Sequence, residues 1–459
     1  MRRTALRLPV LVALAAVTAV CVQAGQAAPV RTTVFIDPGP GGFTSSNVSY
    51  VASIPTGAGV SARVVTVHGQ RRLYLSSAHS LTIYDISNPA LPVPLGALPI
   101  YNWENEDIAV SRDGNTTIPT EFMSALYLHV IDTSNPHAPI LRGTIELDGS
   151  HTAECADLHC NYLFASNGTT YDIHNNGGPI PTSRTPVAVP RAKWWSTEVG
   201  AGGAHALHRD SAGYWIADET PLVMFRADNP LRAHRVTTGN ITMNTAYQHN
   251  NVRPAAGRYH PRKPGDNSKE LRPGELLMTE GETNFSPQCN NGSGAFSTWS
   301  MVGFDKGKPM KQEHVLRPVN GDYASHGDPA INALGCSGHW FTVPKDMPGR
   351  YRGDYLVAAA WYEHGTRILS VNSRTGQIKQ AGFFQPVRGS ASSAYWIPGT
   401  NYIYVVDYQR GLDILRFDPT AAPPSAALTT RSWLAKLHTI DTLSQQERYW
   451  CQQAMQHTA

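Results

Sequence analysis

Four histidines stand where apolar segments begin in this 459-residue chain, and their chemistry suits a metal ion. The four are His151, His205, His249 and His339. Neutral imidazole is a good ligand for copper, iron and zinc, so imidazoles that converge on one point could hold such an ion. Glu106 holds a similar position, and its carboxylate could bind the second ring nitrogen of a ligand. One hypothesis is therefore a site for one transition-metal or zinc ion, with His326 and His208 as substitutes if strand boundaries shift.

The same histidines also fit a role without a metal. The chain has 18 histidines, and imidazoles at a channel mouth can simply bond to backbone groups and water. The sequence contains no Gly-x-Ser-x-Gly elbow, no His-Glu-x-x-His helix and no phosphate-binding Gly-x-x-x-x-Gly-Lys loop. Catalytic residues therefore stay unassigned, and whether the protein is an enzyme stays open.

The elements that would position these side chains follow from a phrase that occurs twice. It reads YDISNP at residues 84–89 and IDTSNP at residues 131–136, which gives a period of about 47 residues. Alternating apolar residues run into and out of both copies. A period of about 40 to 50 residues made of strands and turns is typical of a β-propeller blade.

Each blade should contain four antiparallel strands, and seven segments fit the third strand. They are residues 81–85, 126–132, 169–173, 222–227, 299–305, 366–372 and 412–418. No fourth strand follows the last of them, but residues 47–54 alternate as such a strand should. We therefore predict an all-β fold, a seven-bladed β-propeller closed by an N-terminal strand. The alternative is an open array of sheets.

The propeller geometry explains why the histidines would converge. The inner strand of each blade begins beside the axis on one face, so the residues that open these strands surround the channel mouth. The predicted openings carry Glu106 in the second blade, the four histidines in the third to sixth, and Ser392 or Ser393 in the seventh.

The two ends of the chain differ from the repeat. Residues 1–27 carry three arginines and then an apolar run, which is typical of a secretory signal; a membrane anchor is the alternative, but the run is short for a bilayer. Residues 28–423 would form the propeller. Residues 424–459 have apolar residues at helical spacing and predict a short helical tail. We therefore expect a secreted or cell-surface protein.

Charge limits the class of partner. Removal of the predicted signal would remove three of the 38 basic residues. The remaining positive charges would nearly balance the 35 acidic residues. A nucleic-acid-binding protein should carry a basic excess or stripe, so this class is disfavoured. The mature chain has no second long apolar run, so no transmembrane helix is predicted in it. An unknown ligand or an extracellular protein is the expected partner.

Cysteines and tryptophans mark the same face. Cys155 and Cys160 are spaced for a clamp across a strand turn, and export would permit oxidation. Cys289 and Cys336 fall in two loops that should both emerge at the channel mouth, where a disulfide would rigidify a lid; buried free thiols are the alternative. Three tryptophans could stack on a ligand or anchor a partner, or they could pack between blades. These are Trp103, Trp194 and Trp195.

Several phrases together resemble the LVIVD-repeat family, most closely its exported actinobacterial members. Beside the repeated phrase, these are HT at 151–152 before Cys155 and Cys160, CSGHW at 336–340, WYEHGTR at 361–367 and VVDYQRGLD at 405–413. The resemblance implies a seven-bladed propeller outside the cytoplasm but brings no agreed activity. The chain departs from the repeat in the fourth and fifth blades, at RADNP (226–230) and FDKG (304–307).

Two functions are compatible with these observations. The first is an exported propeller that binds a ligand or protein at its channel-mouth face, with no assigned activity. The second is a metal-dependent enzyme, for example an oxidoreductase with copper, iron or zinc, whose ligands are the four histidines.

Overall fold

The computed structural model describes fourteen stretches of the chain. They are residues 42–103, 105–121, 127–146, 151–166, 168–173, 189–192, 204–218, 221–240, 247–282, 294–318, 336–344, 351, 353–386 and 389–421. Within these stretches the regular elements are β-strands and two short 3-10 helices. No helix in them is long and apolar enough to cross a membrane.

Two N-terminal strands precede the first complete sheet. They are β1 (Gly42–Thr44) and β2 (Val48–Ile54). The strands that follow form consecutive antiparallel sets of four. The first set consists of β3 (Gly59–Val67), β4 (Gln70–Ser77), β5 (Ser80–Asp85) and β6 (Val93–Pro99). The second set consists of β7 (Ala109–Val110), β8 (Thr116–Ile118), β9 (Tyr127–Asp132) and β10 (Ile140–Glu146).

The third and fourth sets continue this pattern. The third consists of β11 (Ala153–Cys155), β12 (Tyr162–Ala165), β13 (Thr170–Asp172) and β14 (Val189–Ala192). The fourth consists of β15 (Leu207–Arg209), β16 (Tyr214–Ala217), β17 (Val223–Asn229) and β18 (Arg232–Asn240).

The next two sets lie in the second half of the chain. One consists of β19 (Tyr247–Val252), β20 (Leu276–Glu282), β21 (Phe296–Ser300) and β22 (Met310–Leu316). The other consists of β23 (Phe341–Thr342), β24 (Asp354–Ala360), β25 (Thr366–Asn372) and β26 (Ile378–Pro386). A short parallel pairing of β18 with β22 joins the fourth and fifth sets into one eight-stranded sheet.

The last set takes its fourth strand from the start of the chain. It contains β27 (Ala391–Trp396), β28 (Tyr402–Asp407) and β29 (Gly411–Phe417). Strand β2 pairs antiparallel with β29, with Val48 opposite Phe417 and Ile54 opposite Leu412. This pairing confirms the predicted contribution of the N-terminal segment to the last sheet. Strand β1 extends the preceding sheet by pairing with β26.

The hydrophobic core lies between neighbouring sheets. Phe164 of the third set packs edge-on against Trp215 of the fourth, and Leu75 of the first set shares a cluster with Tyr404 of the last. Because the first and last sheets pack together, the sheets surround a common axis. The architecture is therefore the predicted all-β propeller.

The repeated phrase forms the turn between the third and fourth strands of a sheet. Asp85 accepts a hydrogen bond from the Ser87 amide at 2.8 Å, and Asn88 accepts one from Ala90 at 3.1 Å. Asp132 accepts the Ser134 amide in the second copy at 3.1 Å. Side chains that bond to amides two residues onward stabilise such turns.

One predicted third strand is wrong. The structure ends that strand, β21, at Ser300, and the end of the predicted segment lies in a 3-10 helix, Phe304–Lys306. Gly303 and Gly307 flank this helix with φ angles of 84° and 73°, which are incompatible with a continuing strand. The other predicted third strands correspond to β5, β9, β13, β17, β25 and β29. The predicted signal (1–27) and helical tail (424–459) lie outside the described residues.

Candidate metal centre

The four predicted histidines all face one carboxylate, that of Glu106. The Nε2 atoms of His151, His205 and His249 lie 3.2, 3.0 and 2.8 Å from its Oε2 atom. The Nε2 atom of His339 lies 2.8 Å from its Oε1 atom. The structure thus brings together the residues that the sequence pattern selected.

Each of these side chains comes from the inner strand of a different set of four strands or from the residues just before it. Glu106 precedes β7, His151 precedes β11, His205 precedes β15 and His339 precedes β23, whereas His249 lies within β19. Successive rings stand 4.3, 3.8 and 4.1 Å apart between centroids around the axis. The ring of sheets is therefore what gathers residues that are distant in sequence.

The cluster is buried, with access on one side. The side chains of His249 and His339 are fully buried, and 3% of the Glu106 side chain is exposed. The His151 side chain keeps 21% of its surface exposed. A small molecule could therefore approach the cluster from the His151 side.

Backbone carbonyls hold the far nitrogens of two rings. His249 Nδ1 lies 2.9 Å from the carbonyl oxygen of His339, and His339 Nδ1 lies 2.5 Å from that of Ser392. A carbonyl oxygen only accepts hydrogen bonds, so each Nδ1 must carry the proton. If these rings are neutral, their Nε2 lone pairs point at Glu106.

Burial determines which rings are neutral. Burial, together with the nearby His205 and His339, holds the pKa of His249 well below its usual value. Burial also lowers the pKa of His205 to about 4. Burial opposes the charged form of His339 too, but the Glu106 carboxylate prevails and raises its pKa to about 9.

Glu106 itself remains ionised. Burial favours its neutral form, but the imidazoles of His339, His151 and His249 hold its pKa well below the usual range. Neutral His249 therefore places a nitrogen lone pair 2.8 Å from a carboxylate oxygen. Two electron-rich atoms at this distance repel each other unless a cation is present.

Sequence reasoning missed three side chains at this site. Glu282, the last residue of β20, places Oε2 at 3.7 Å from His249 Nε2. The Tyr362 hydroxyl donates a hydrogen bond to Glu282 Oε1, and the Tyr408 hydroxyl lies 3.4 Å from Glu106 Oε1. Glu282 ends a second strand, and the two tyrosines follow the second strands of other sets, whereas the sequence prediction rested on the beginnings of inner strands.

The remaining predicted site residues have different positions. The Nε2 atom of His208 lies 3.3 Å from Asp218 Oδ2 rather than beside Glu106, so His208 is not needed as a substitute for His205. Trp103 is half-buried and packs on Tyr408, with 5.3 Å between ring centroids. His326, Trp194 and Trp195 lie outside the described residues.

The disulfide predictions have two outcomes. Cys155 and Cys160 form the predicted disulfide, with 4.7 Å between their Cα atoms. Cys336 is also disulfide-bonded. Its predicted partner, Cys289, lies outside the described residues, so that pairing stays a prediction.

The donor set fits a transition metal or zinc. These ions bind imidazole nitrogen and carboxylate oxygen at about 2.0 to 2.2 Å, whereas calcium and magnesium prefer oxygen alone. Ligating histidines usually donate their other N–H group to a carbonyl or carboxylate, as His249 and His339 do here. In each of two groups the ligand atoms all lie within 4.8 Å of one another. The groups are Glu106–His205–His249 and His249–Glu282–His339.

Comparison with solved structures supports the fold. The β-propeller domain of Myceliophteria thermophila Cps50 (Swd1) aligns with a TM-score of 0.50 and 12% identity, covering 81% of this chain and 100% of that domain. The WD40 repeats of RRP9 align with a TM-score of 0.48 and 8% identity, and the match covers 82% of this chain and 98% of that one. At such low identity the first match shows the fold alone. No curated protein sequence matches the chain.

The sequence itself matches one family model. The LVIVD repeat model matches residues 62–97 and 124–146. Each matched segment contains one copy of the repeated turn phrase, which forms equivalent turns after β5 and β9. The chain is therefore a β-propeller that carries LVIVD repeats.

Proposed function

We propose that this protein binds a transition-metal or zinc ion at the propeller axis. The ligands are His151, His205, His249, His339 and the Glu106 carboxylate. The observation that carries the proposal is the contact of His249, whose Nε2 atom faces Glu106 at 2.8 Å while its Nδ1 atom faces a carbonyl oxygen. A neutral imidazole has one N–H group and cannot donate to both.

Protons alone are a poor solution to this arrangement. His339 can meet its two acceptors as an imidazolium, since Glu106 raises its pKa to about 9 and its nitrogens face Ser392 and Glu106. His249 has no such solution, because burial and the neighbouring imidazoles hold its pKa well below the usual value. A proton on Glu106 would satisfy His249 but would remove the negative charge that stabilises the buried His339 imidazolium. A bound cation accepts the His249 Nε2 lone pair and the carboxylate together.

The exposed side of the cluster favours an ion that meets a small ligand. The side chains of His151 and Glu282 keep 21% and 17% of their surface exposed, so a water molecule or small substrate could reach the ion there. Such an ion would act as a Lewis acid, and copper or iron could also exchange electrons. A metal-dependent enzyme, for example an oxidoreductase, is therefore the activity class that we propose.

A ligand- or protein-binding role at the same face is the second candidate. Its support is Trp103, which lies half-buried against Tyr408 beside the cluster and presents an aromatic surface near the channel mouth. The two functions are compatible, because a ligand held there would lie next to the ion.

We also propose that the ring has seven blades and that the protein is exported. The blade count rests on the sets of four strands and on the β2–β29 pairing. Export rests on the signal-like N-terminal sequence and on the Cys155–Cys160 disulfide, since disulfides are typical of oxidising compartments.

Elemental analysis of the purified protein tests the metal proposal. The wild type, loaded with copper, iron or zinc and then desalted, should retain at least one equivalent per chain. His205→Ala and His249→Ala should each retain at least one equivalent less than the wild type, whereas His234→Ala, which changes an exposed histidine of β18, should retain as much. A wild-type protein that retains none of the three metals would overturn the proposal.

A further inference from the structure

The carboxylate of Glu106 divides its two oxygens between different histidines. Oε2 faces His151, His205 and His249 at 3.2, 3.0 and 2.8 Å. Oε1 faces His339 at 2.8 Å. A carboxylate whose oxygens point to separate sets of ligands has the geometry of a bridge between two ions.

A second carboxylate, that of Glu282, stands beside His249 and His339. Glu282 Oε2 lies 3.7 Å from His249 Nε2, and the ligand atoms of His249, Glu282 and His339 all lie within 4.8 Å of one another. The Tyr362 hydroxyl occupies the other oxygen of Glu282 by donating a hydrogen bond to it. Tyr362 therefore holds Glu282 so that Oε2 remains directed at the cluster.

The number of ligands exceeds what one ion needs. Zinc in proteins is almost always bound by about four ligands, and catalytic sites use about three from the protein. Four imidazoles and two carboxylates supply six. Paired catalytic ions stand about 3.5 to 4 Å apart, a distance that one carboxylate can span.

We propose that the axial site holds two metal ions bridged by Glu106. One ion is bound by His151, His205 and Glu106 Oε2. The other is bound by Glu106 Oε1, His339 and Glu282, together with His249, whose Nε2 atom lies 2.8 Å from Glu106 Oε2 and 3.7 Å from Glu282 Oε2. The inference rests on the proposed metal site and adds a second ion to it. Both positions have mixed nitrogen and oxygen ligands and suit divalent copper, zinc or cobalt.

Metal stoichiometry tests the second ion. Chelator-treated protein is titrated with Zn²⁺ in a calorimeter, and the bound zinc is then counted by elemental analysis. The wild type should bind two equivalents per chain and Glu282→Gln one. Glu313→Gln, which changes a partly exposed glutamate of β22, is the matched control and should still bind two.

The outcomes separate the two proposals. One equivalent in both the wild type and Glu282→Gln overturns the second ion and leaves the first. No bound zinc, copper or iron in the wild type overturns both. Two equivalents in Glu282→Gln would remove Glu282 from the site and with it this assignment of ligands.

Two further measurements guard against misfolding and surface binding. Tyr362→Phe keeps Glu282 but removes the hydroxyl that holds it, so the second equivalent should bind at least about 10-fold more weakly while the first is unchanged. The wild type loaded with two Cu²⁺ equivalents should show an electron paramagnetic resonance spectrum of coupled ions. Two uncoupled signals would mean that the second ion lies on the surface, and would overturn the bridge.

Discussion

Acidic residues have different partners at the rim of this propeller, meaning the turns formed by the repeated phrase, and at its axis, where Glu106 lies. At the rim, the Asp132 carboxylate meets donors from its own chain, namely the amide and hydroxyl of Ser134 and the Arg142 guanidinium at 2.7 Å. At the axis, Glu106 meets four ring nitrogens, of which at least that of His249 has no proton to donate. The Asp132 turn is therefore satisfied by the polypeptide itself, whereas the arrangement around Glu106 supports the proposed cation.

The difference follows from what each region has to do. A turn phrase that recurs in successive blades must close a strand connection with local partners, and it does so in both copies. The axial residues are contributed singly by separate sets of four strands, so their partners come from other blades.

The largest expected effect comes from breaking the ring that creates the axis. Deleting the residues that precede Gly57 from the mature protein removes β2 and leaves the edge of β29 unpaired. We expect loss of cooperative thermal unfolding and of metal binding together, measured by circular dichroism and elemental analysis. Removing residues 424–459, beyond the last described strand, is the control. A truncated protein that melts like the wild type would refute the role of β2 in closure.

The next effect concerns Glu106 alone. Glu106→Gln keeps the shape of the side chain but removes the negative charge that faces all four imidazoles. We expect metal affinity to fall by at least about 10- to 100-fold, measured by competition with a chelator of known affinity. Asp132→Asn is the comparison at the rim and should leave affinity unchanged. Equal affinity of Glu106→Gln and the wild type would contradict a metal at this position.

Metal removal should destabilise the protein through the axis. An ion that binds only the folded state stabilises it by about 2.7 kcal/mol when its free concentration is 100 times the dissociation constant. Chelation should therefore lower the melting temperature of the wild type, as measured by calorimetry. The melting temperature of His249→Ala, which lacks a ligand, should fall by less than that of the wild type when chelator is added. A wild-type melting temperature that does not respond to metal would count against the site.

A smaller effect distinguishes the two copies of the rim phrase. Ser134 and Arg142 stabilise the ionised form of Asp132, and this outweighs burial, so its pKa lies below the usual value. A depressed pKa gives stability that is present above the unfolded value of 3.8 and is lost as the pH falls through the folded value. Asp132→Asn should therefore cost about 0.5 to 1 kcal/mol near neutral pH and less below about pH 4.

The first copy supplies the control for that experiment. Asp85 accepts the Ser87 amide, and in the part of the chain that the structure describes it has no arginine partner like Arg142. Asp85→Asn should therefore cost less than Asp132→Asn in urea unfolding at neutral pH. A pH-independent difference between Asp132→Asn and the wild type would show that the carboxylate charge is not what stabilises the turn.

Much of the fold was predictable because strands and turns leave local signals. The alternation in residues 47–54 and the repeated phrase located the closing strand and the third strands of most sheets. The exception was β21, where apolar residues continue past Ser300 but Gly303 bends the chain into a 3-10 helix. Apolar spacing alone does not reveal a positive φ.

The site was predictable only in part. The histidines stood at equivalent places in successive repeats, so a correct repeat register was sufficient to group them. Glu282 is at the far end of a second strand, and Tyr362 follows another, with no period that links either to the axis. Their contribution depends on side-chain reach across a sheet, which the sequence pattern does not encode.

The pairing of β2 with β29 would also govern when the protein could acquire the proposed ion. Strand β2 is made early in synthesis, whereas its partner β29 is made after every proposed ligand. A nascent chain therefore carries the histidines without the ring that gathers them. If the chain crosses a membrane before it folds, the ion must come from the receiving compartment. The metals available there, rather than those in the cytoplasm, would then decide which ion the finished protein holds.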